Sequence, residues 1–164
     1  MSGDFFMNYE EAVAYIEETP KFTTKNKLEH TKECLHRLGN PQNKFRVVHV
    51  AGTNGKGSTC AFLTSVLREA GYSCGLFTSP HLVVINERFQ INEKNIDNDT
   101  FLHAFQKVKK LADELVAEGS YHPTYFEFLF LMGMVIFADA GRIRLGKMLQ
   151  RVIFAGADQK FFFA

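Results

Sequence analysis

The sequence predicts an α/β fold: a P-loop-type, mostly parallel sheet flanked by helices. Three observations carry this. Residues 46–51 (RVVHVA) form a short apolar run with little polar alternation, as expected of a strand buried on both faces. A glycine-rich loop, GTNGKGST at 52–59, follows at once and leads into a helix from near Ser58 to about residue 70, stopped by Gly71. Residues 73–77 (SCGLF) then supply a second apolar strand. Strand, loop, helix and strand make one βαβ unit, whose crossover is right-handed in nearly all proteins.

The flanking elements follow in order. Residues 8–18 (NYEEAVAYIEE) read as a helix with Asn8 as its N-cap, ended by Thr19-Pro20. In 26–38 (NKLEHTKECLHRL), Leu28, Thr31, Leu35 and Leu38 fall along one stripe of a second helix, which Gly39-Asn40-Pro41 stops. After the βαβ unit come a polar loop, TSPHL, and an extended stretch, VVINERFQIN. In the latter, Glu87, Arg88 and Gln90 alternate with Phe89 and Ile91 as in a half-buried strand with a solvated face. Residues 98–118 read as a long helix and 124–140 as a more apolar one. From Gly141 the texture changes: GRIRLGKMLQRVIFAGADQKFFFA carries five basic residues against one acid. RVIFAG could be a strand, but nothing after it completes another βα unit.

Bulk properties exclude several classes. The 164 residues suit one domain, and a chain 46% hydrophobic and 23% charged has globular composition. A net charge of +1 gives no broad footprint for nucleic acid, so acidic small molecules have to be met by local groups. Cys34, Cys60 and Cys74 follow no metal spacing, and their odd number argues against a disulfide framework. The opening MSGDFFMNYEEA lacks the basic and apolar regions of a secretion signal, and the apolar run 128–138 is too short to span a bilayer. The expectation is a cytoplasmic protein without membrane or nucleic-acid partners.

The glycine loop carries the chemistry. Gly52, Gly55 and Gly57 let backbone bend closely around phosphate oxygens, and a helix N-terminus just after a strand offers N–H groups and partial positive charge. Lys56 adds a mobile cation; Ser58 and Thr59 add hydroxyls. The bland alternative is a glycine-rich turn with a solvated lysine. The spacing also departs from the standard P-loop, since Val50 stands where its first glycine belongs and Gly57 follows the lysine. Thr78-Ser79-Pro80-His81 lies at the carboxyl end of the second strand, where open α/β sheets bind ligands, so the two loops should face one crevice; an ordinary turn is the alternative. Glu127 is the only charge in PTYFEFLFLMGMVIF, and Thr124-x-x-Glu127 is itself a capping box. His49, inside the first strand, reads as a core histidine.

Five motifs together are specific. LGNPQ (38–42), GTNGKGST (52–59), FTSPHL (77–82), NERFQIN (86–92) and FEFL (126–129) stand in the order and approximate spacing of the folylpolyglutamate synthase and dihydrofolate synthase branch of the Mur-ligase superfamily. The resemblance covers about residues 8–140. It implies an incomplete Mur-ligase central ATPase domain that uses ATP and Mg²⁺ to add L-glutamate to a folate or dihydropteroate carboxyl group through an acyl phosphate. It further implies that Gly52, Thr53, Asn54, Gly55, Lys56, Gly57, Ser58 and Thr59 hold the phosphates, with Lys56 catalytic. Thr78, Ser79, Pro80 and His81 are implied to border the folate, and Ser79 and Glu127 to ligate Mg²⁺. Residues 141–164 do not match the ETGLGGR-like continuation of the family, and its C-terminal domain is not recognisable. The tail is therefore expected to be foreign to the fold, as after a change of reading frame, and the chain alone to be inactive. The complete enzyme is expected to be a monomer. A nucleotide-binding module without catalysis of its own is the alternative function.

Overall fold

Local sequence signals set most element boundaries. The computed structural model describes residues 7–20, 26–52, 54–143 and 151–155. Helix α1 (Tyr9–Glu18) starts on a complete capping box: Asn8 Oδ1 accepts the Glu11 N–H at 2.9 Å, and the Glu11 carboxylate accepts the Asn8 N–H at 2.8 Å. Helix α2 (Leu28–Arg37) ends where Gly39 and Asn40 turn left-handed, at φ +78° and +52°. A 3₁₀ turn (Pro41–Lys44) then feeds β1 (Arg46–Val50), followed by α3 (Lys56–Glu69) and β2 (Cys74–Phe77).

A second 3₁₀ turn (Ile85–Arg88) precedes β3 (Phe89–Ile91) and β4 (Lys94–Asn95). The two-residue link Asn92-Glu93 has positive φ at both positions, the geometry that joins twisted antiparallel strands tightly. Asp97 caps α4 (Asn98–Ala117) by accepting the Thr100 N–H at 2.8 Å. Helix α5 (Tyr125–Ile143) and strand β5 (Arg151–Ala155) complete the described elements.

The sheet runs β1-β5-β2-β3-β4. Its first three strands are parallel, and β3 and β4 extend it as an antiparallel ribbon. Cys74 and Leu76 pack toward Cys60, Leu63 and Leu67 of α3, whereas Phe77 joins the cluster under α4 and α5. Alternation along β2 thus separates two apolar layers on opposite faces of the sheet. The larger layer is aromatic: Phe77, Phe89, Phe101, Phe105, Phe128, Phe130 and Phe137 are all at most 2% exposed.

Four sequence expectations need adjustment. Strand β1, expected to be buried on both faces, is the edge of the described sheet, with Val47 38% exposed. Helix α3 begins at Lys56, ahead of the expected start near Ser58. NERF is a 3₁₀ turn entering a strand rather than continuous strand, and Arg88 is buried instead of solvated. Residues 151–155 lie in the tail expected to be foreign to the fold, yet they run in register between β1 and β2 as the inner parallel strand. The β-branched, aromatic composition of RVIFA suits that slot.

Candidate nucleotide and substrate site

Both sequence-identified loops leave the carboxyl ends of parallel strands. The glycine loop follows β1 and the Thr78–His81 loop follows β2, with β5 between them. Their strands are therefore two inter-strand spacings apart, about 10 Å.

In the glycine loop, Gly55 is the N-cap of α3 at φ +76°, a conformation that costs a β-carbon-bearing residue about 1 kcal/mol or more. Lys56 occupies the first helical position, so the N–H groups of Lys56, Gly57 and Ser58 have no acceptor within the helix. Gly57 and Ser58 are exposed at this turn, and the positive end of the helix dipole lies at the same place. The Lys56 ammonium folds back and donates to the Gly52 carbonyl at 2.6 Å, closing a ring over the loop. The Thr59 hydroxyl donates to the Gly55 carbonyl at 3.0 Å, so it braces the first turn. Gly52, Asn54, Gly57 and Ser58 are exposed, and Thr53 lies outside the described residues.

The second loop is organised by a residue expected only on a solvated strand face. Arg88, 4% exposed, donates from Nη1 to Ser79 Oγ at 2.7 Å, from Nε to His81 Nδ1 at 2.8 Å, and from Nη2 to the Tyr125 hydroxyl at 3.3 Å. Its main-chain carbonyl accepts the Thr78 N–H at 3.0 Å. Next to it, the Glu87 carboxylate accepts the N–H groups of Leu82, Val83 and Val84 at 2.7 to 3.0 Å. Those bonds hold the Glu87 carboxyl below its ordinary value. A usable signal in the sequence was the placement of Arg88 immediately before an apolar strand, where solvating a guanidinium is difficult.

Comparison with known proteins identifies the assembly. The chain is 38% identical over 138 residues to the dihydrofolate synthase/folylpolyglutamate synthase of Bacillus subtilis, a match covering 84% of this chain and 32% of that protein. The dihydrofolate synthetase of Saccharomyces cerevisiae is 41% identical over 112 residues, covering 68% and 25%. Among solved structures, Lactobacillus casei folylpolyglutamate synthetase superposes with a TM-score of 0.81 at 30% identity, over 95% of this chain and 38% of that one. The chain belongs to the folylpolyglutamate and dihydrofolate synthase family. Escherichia coli FolC in complex with DHPP and ADP gives 0.75 at 31% identity, covering 91% and 33%. No family-level sequence model matches the chain. The chain spans about a third, or less, of the curated relatives it matches, and its architecture is part of the Mur-ligase fold they share.

Within this folylpolyglutamate synthase-like frame, Ser79 and Glu127 can be weighed as magnesium ligands. Glu127 is 2% exposed, and its carboxylate already accepts Asn26 Nδ2 at 2.8 Å, the Thr31 hydroxyl at 3.0 Å and the Thr124 N–H at 2.8 Å. His30 Nδ1 lies 3.8 Å away. The capping-box reading of Thr124 and Glu127 describes this geometry, with Glu127 N–H reaching Thr124 Oγ1 at 3.4 Å. Ser79 Oγ faces a guanidinium, a poor neighbour for a divalent cation. Among the described residues no three His, Cys, Asp or Glu side chains cluster as a metal site. Ser79 and Glu127 as placed do not fit a magnesium site.

The three cysteines are buried and form no disulfide. Burial, followed by the nearby Glu127 charge, pushes Cys34 up to about 12. No described helix is long and apolar enough to cross a membrane.

Proposed function

We propose that this chain is the nucleotide- and folate-facing part of an ATP-dependent ligase that joins L-glutamate to a folate or dihydropteroate carboxyl group. The observation that supports this best is the pairing of an N-terminal helix cradle carrying Lys56 with a loop clamped by Arg88, both at the carboxyl ends of the parallel strands. A carboxylate is a poor electrophile. Attack of its oxygen on the γ-phosphorus of ATP, with ADP leaving, gives an acyl phosphate. The glutamate amine then attacks the acyl carbon and phosphate departs, leaving an amide.

In this reading the Lys56, Gly57 and Ser58 amides and the Lys56 ammonium bind and orient the polyphosphate and offset charge on it. Gly52, Thr53, Asn54, Gly55 and Thr59 shape that cradle. Thr78, Ser79, Pro80 and His81 border the pterin-bearing substrate. Magnesium belongs to this reading through the nucleotide, with ligands other than the Ser79 and Glu127 pair. The expected setting is a cytoplasmic enzyme, monomeric when complete, with ATP, L-glutamate and a folate or dihydropteroate as its small-molecule partners. Residues 141–164 belong in the proposal to a tail whose sequence is unlike the family's continuation, although 151–155 supply β5.

Saturation-transfer NMR on the 164-residue chain tests the assignment of the two loops. Both the ATP analogue AMPPCP and dihydropteroate are expected to bind. Lys56→Ala is expected to lose the first selectively, and Ser79→Ala to weaken the second. Absence of both ligands from the wild-type chain would overturn the reading. Because the matched relatives are about three times longer, the chain alone is expected to show no steady glutamate-dependent turnover, which liquid chromatography with mass detection would check.

A further inference from the structure

Arg88 is a buried cation with no carboxylate partner. Among the described residues it forms no ion pair; its guanidinium instead donates to a hydroxyl, an imidazole nitrogen and a phenol. The guanidinium carbon also lies 5.7 Å from the Tyr125 ring centroid. Burying a guanidinium in this way is costly, and replacing it with an apolar side chain of similar size would relieve the cost. Its geometry therefore has to be explained by what it holds.

The hydrogen-bond directions are fixed by chemistry. A guanidinium has only N–H donors, so His81 Nδ1 must accept and cannot carry a proton. With Nδ1 accepting, the ring N–H is placed on Nε2. Ser79 Oγ likewise accepts, so the hydroxyl hydrogen is directed away from Arg88. Through Tyr125, Arg88 also ties the loop to the first residue of α5.

We propose that Arg88 is a positioning residue for the substrate loop: it locks His81 in the Nε2–H tautomer and turns the Ser79 hydroxyl outward. The loop then presents hydrogen-bond donors, backed by one unneutralised positive charge, to a ligand rich in carbonyl and carboxylate oxygens. The ligand class rests on the proposed function; the tautomer does not.

The test is two-bond ¹H–¹⁵N spectroscopy on the full chain labelled with ¹⁵N-histidine, with His81 assigned by His81→Gln. The wild type is expected to show a single Nε2–H pattern for His81. In Arg88→Lys a tautomer mixture is expected, together with a tenfold or greater loss of dihydropteroate affinity and unchanged AMPPCP affinity. Tyr125→Phe, which leaves the guanidinium on His81 and Ser79, is expected to keep the wild-type pattern. An Nδ1–H pattern in the wild type, or an unaltered pattern in folded Arg88→Lys, would overturn the proposal. If Arg88→Lys does not fold, the wild-type spectrum still decides it, and loss of the pattern in Tyr125→Phe would count against it. Failure of dihydropteroate to bind the wild type would strike the proposed function while leaving the tautomer result to stand or fall alone.

Discussion

Glu127 ties together elements distant in sequence. Its two oxygens collect donors from Asn26 before α2, Thr31 within α2 and Thr124 at the start of α5. Removing the carboxylate strands several donors in a buried site. Glu127→Ala is thus expected to cost about 1–3 kcal/mol in urea denaturation, with Glu127→Gln recovering part because its amide oxygen still accepts. Cys34, buried beside it with its thiol pushed up to about 12, is expected to resist thiol reagents until the protein is unfolded. The capping pair was legible from Thr124-x-x-Glu127 alone. The donors from Asn26 and Thr31 were not, because a contact between residues 96 to 101 positions apart leaves no local pattern.

At the scale of elements, α5 is the central packing unit, and Gly133 sits inside it. A β-carbon there would stand 3.5 Å from Phe77 and Phe89 ring atoms and 3.7 Å from Phe137, ordinary contact distances. Gly133→Ala is expected to raise stability by about 0.5–1 kcal/mol by thermal or urea unfolding, since alanine restricts the unfolded chain without a clash. Helix α4 depends on a charged cap. Hydrogen bonds from Thr100 hold the Asp97 carboxyl below its ordinary 3.8, and the loop amides hold Glu87 below its ordinary 4.5.

Both carboxyls have depressed folded values, so the unfolded chain takes up protons first as pH falls. Their contribution is complete above the unfolded values and is lost as pH falls through the folded ones. Unfolding midpoints are expected to drop as pH is lowered from about 5 toward 3. Asp97→Asn, an equally good cap, should flatten that slope without melting α4. The helices were readable from periodicity and caps to within a few residues. NERF was not, because its alternation mimics a strand while, in a 3₁₀ turn, Glu87 accepts from backbone N–H groups and Arg88 donates to side-chain acceptors.

For the whole molecule, the order β1-β5-β2 leaves β1 at an edge while the last described strand lies inside the sheet. No local signal distinguishes an inner from an edge strand when both are short apolar runs, which is why RVVHV read as doubly buried and RVIFA as a possible strand within a tail that completes no βα unit. The open edge carries Val47, and the outer face of α3 carries Phe62 and Val66 at 74% and 65% exposure. Exposed edges and apolar faces invite pairing. Sedimentation velocity is expected to show concentration-dependent self-association of the 164-residue chain, reduced by Phe62→Lys with Val66→Glu. Strand β5 also sets the separation of the two loops, so the central claim, that the start of α3 and its lysine grip a polyphosphate, concerns the sheet as well as the loop. Calorimetric titration of AMPPCP into the wild-type chain and Lys56→Ala tests it most directly. The account predicts measurable binding weakened about tenfold or more, some 1.4 kcal/mol, with unchanged melting temperature; equal affinity in the two proteins, or none in the wild type, would contradict it.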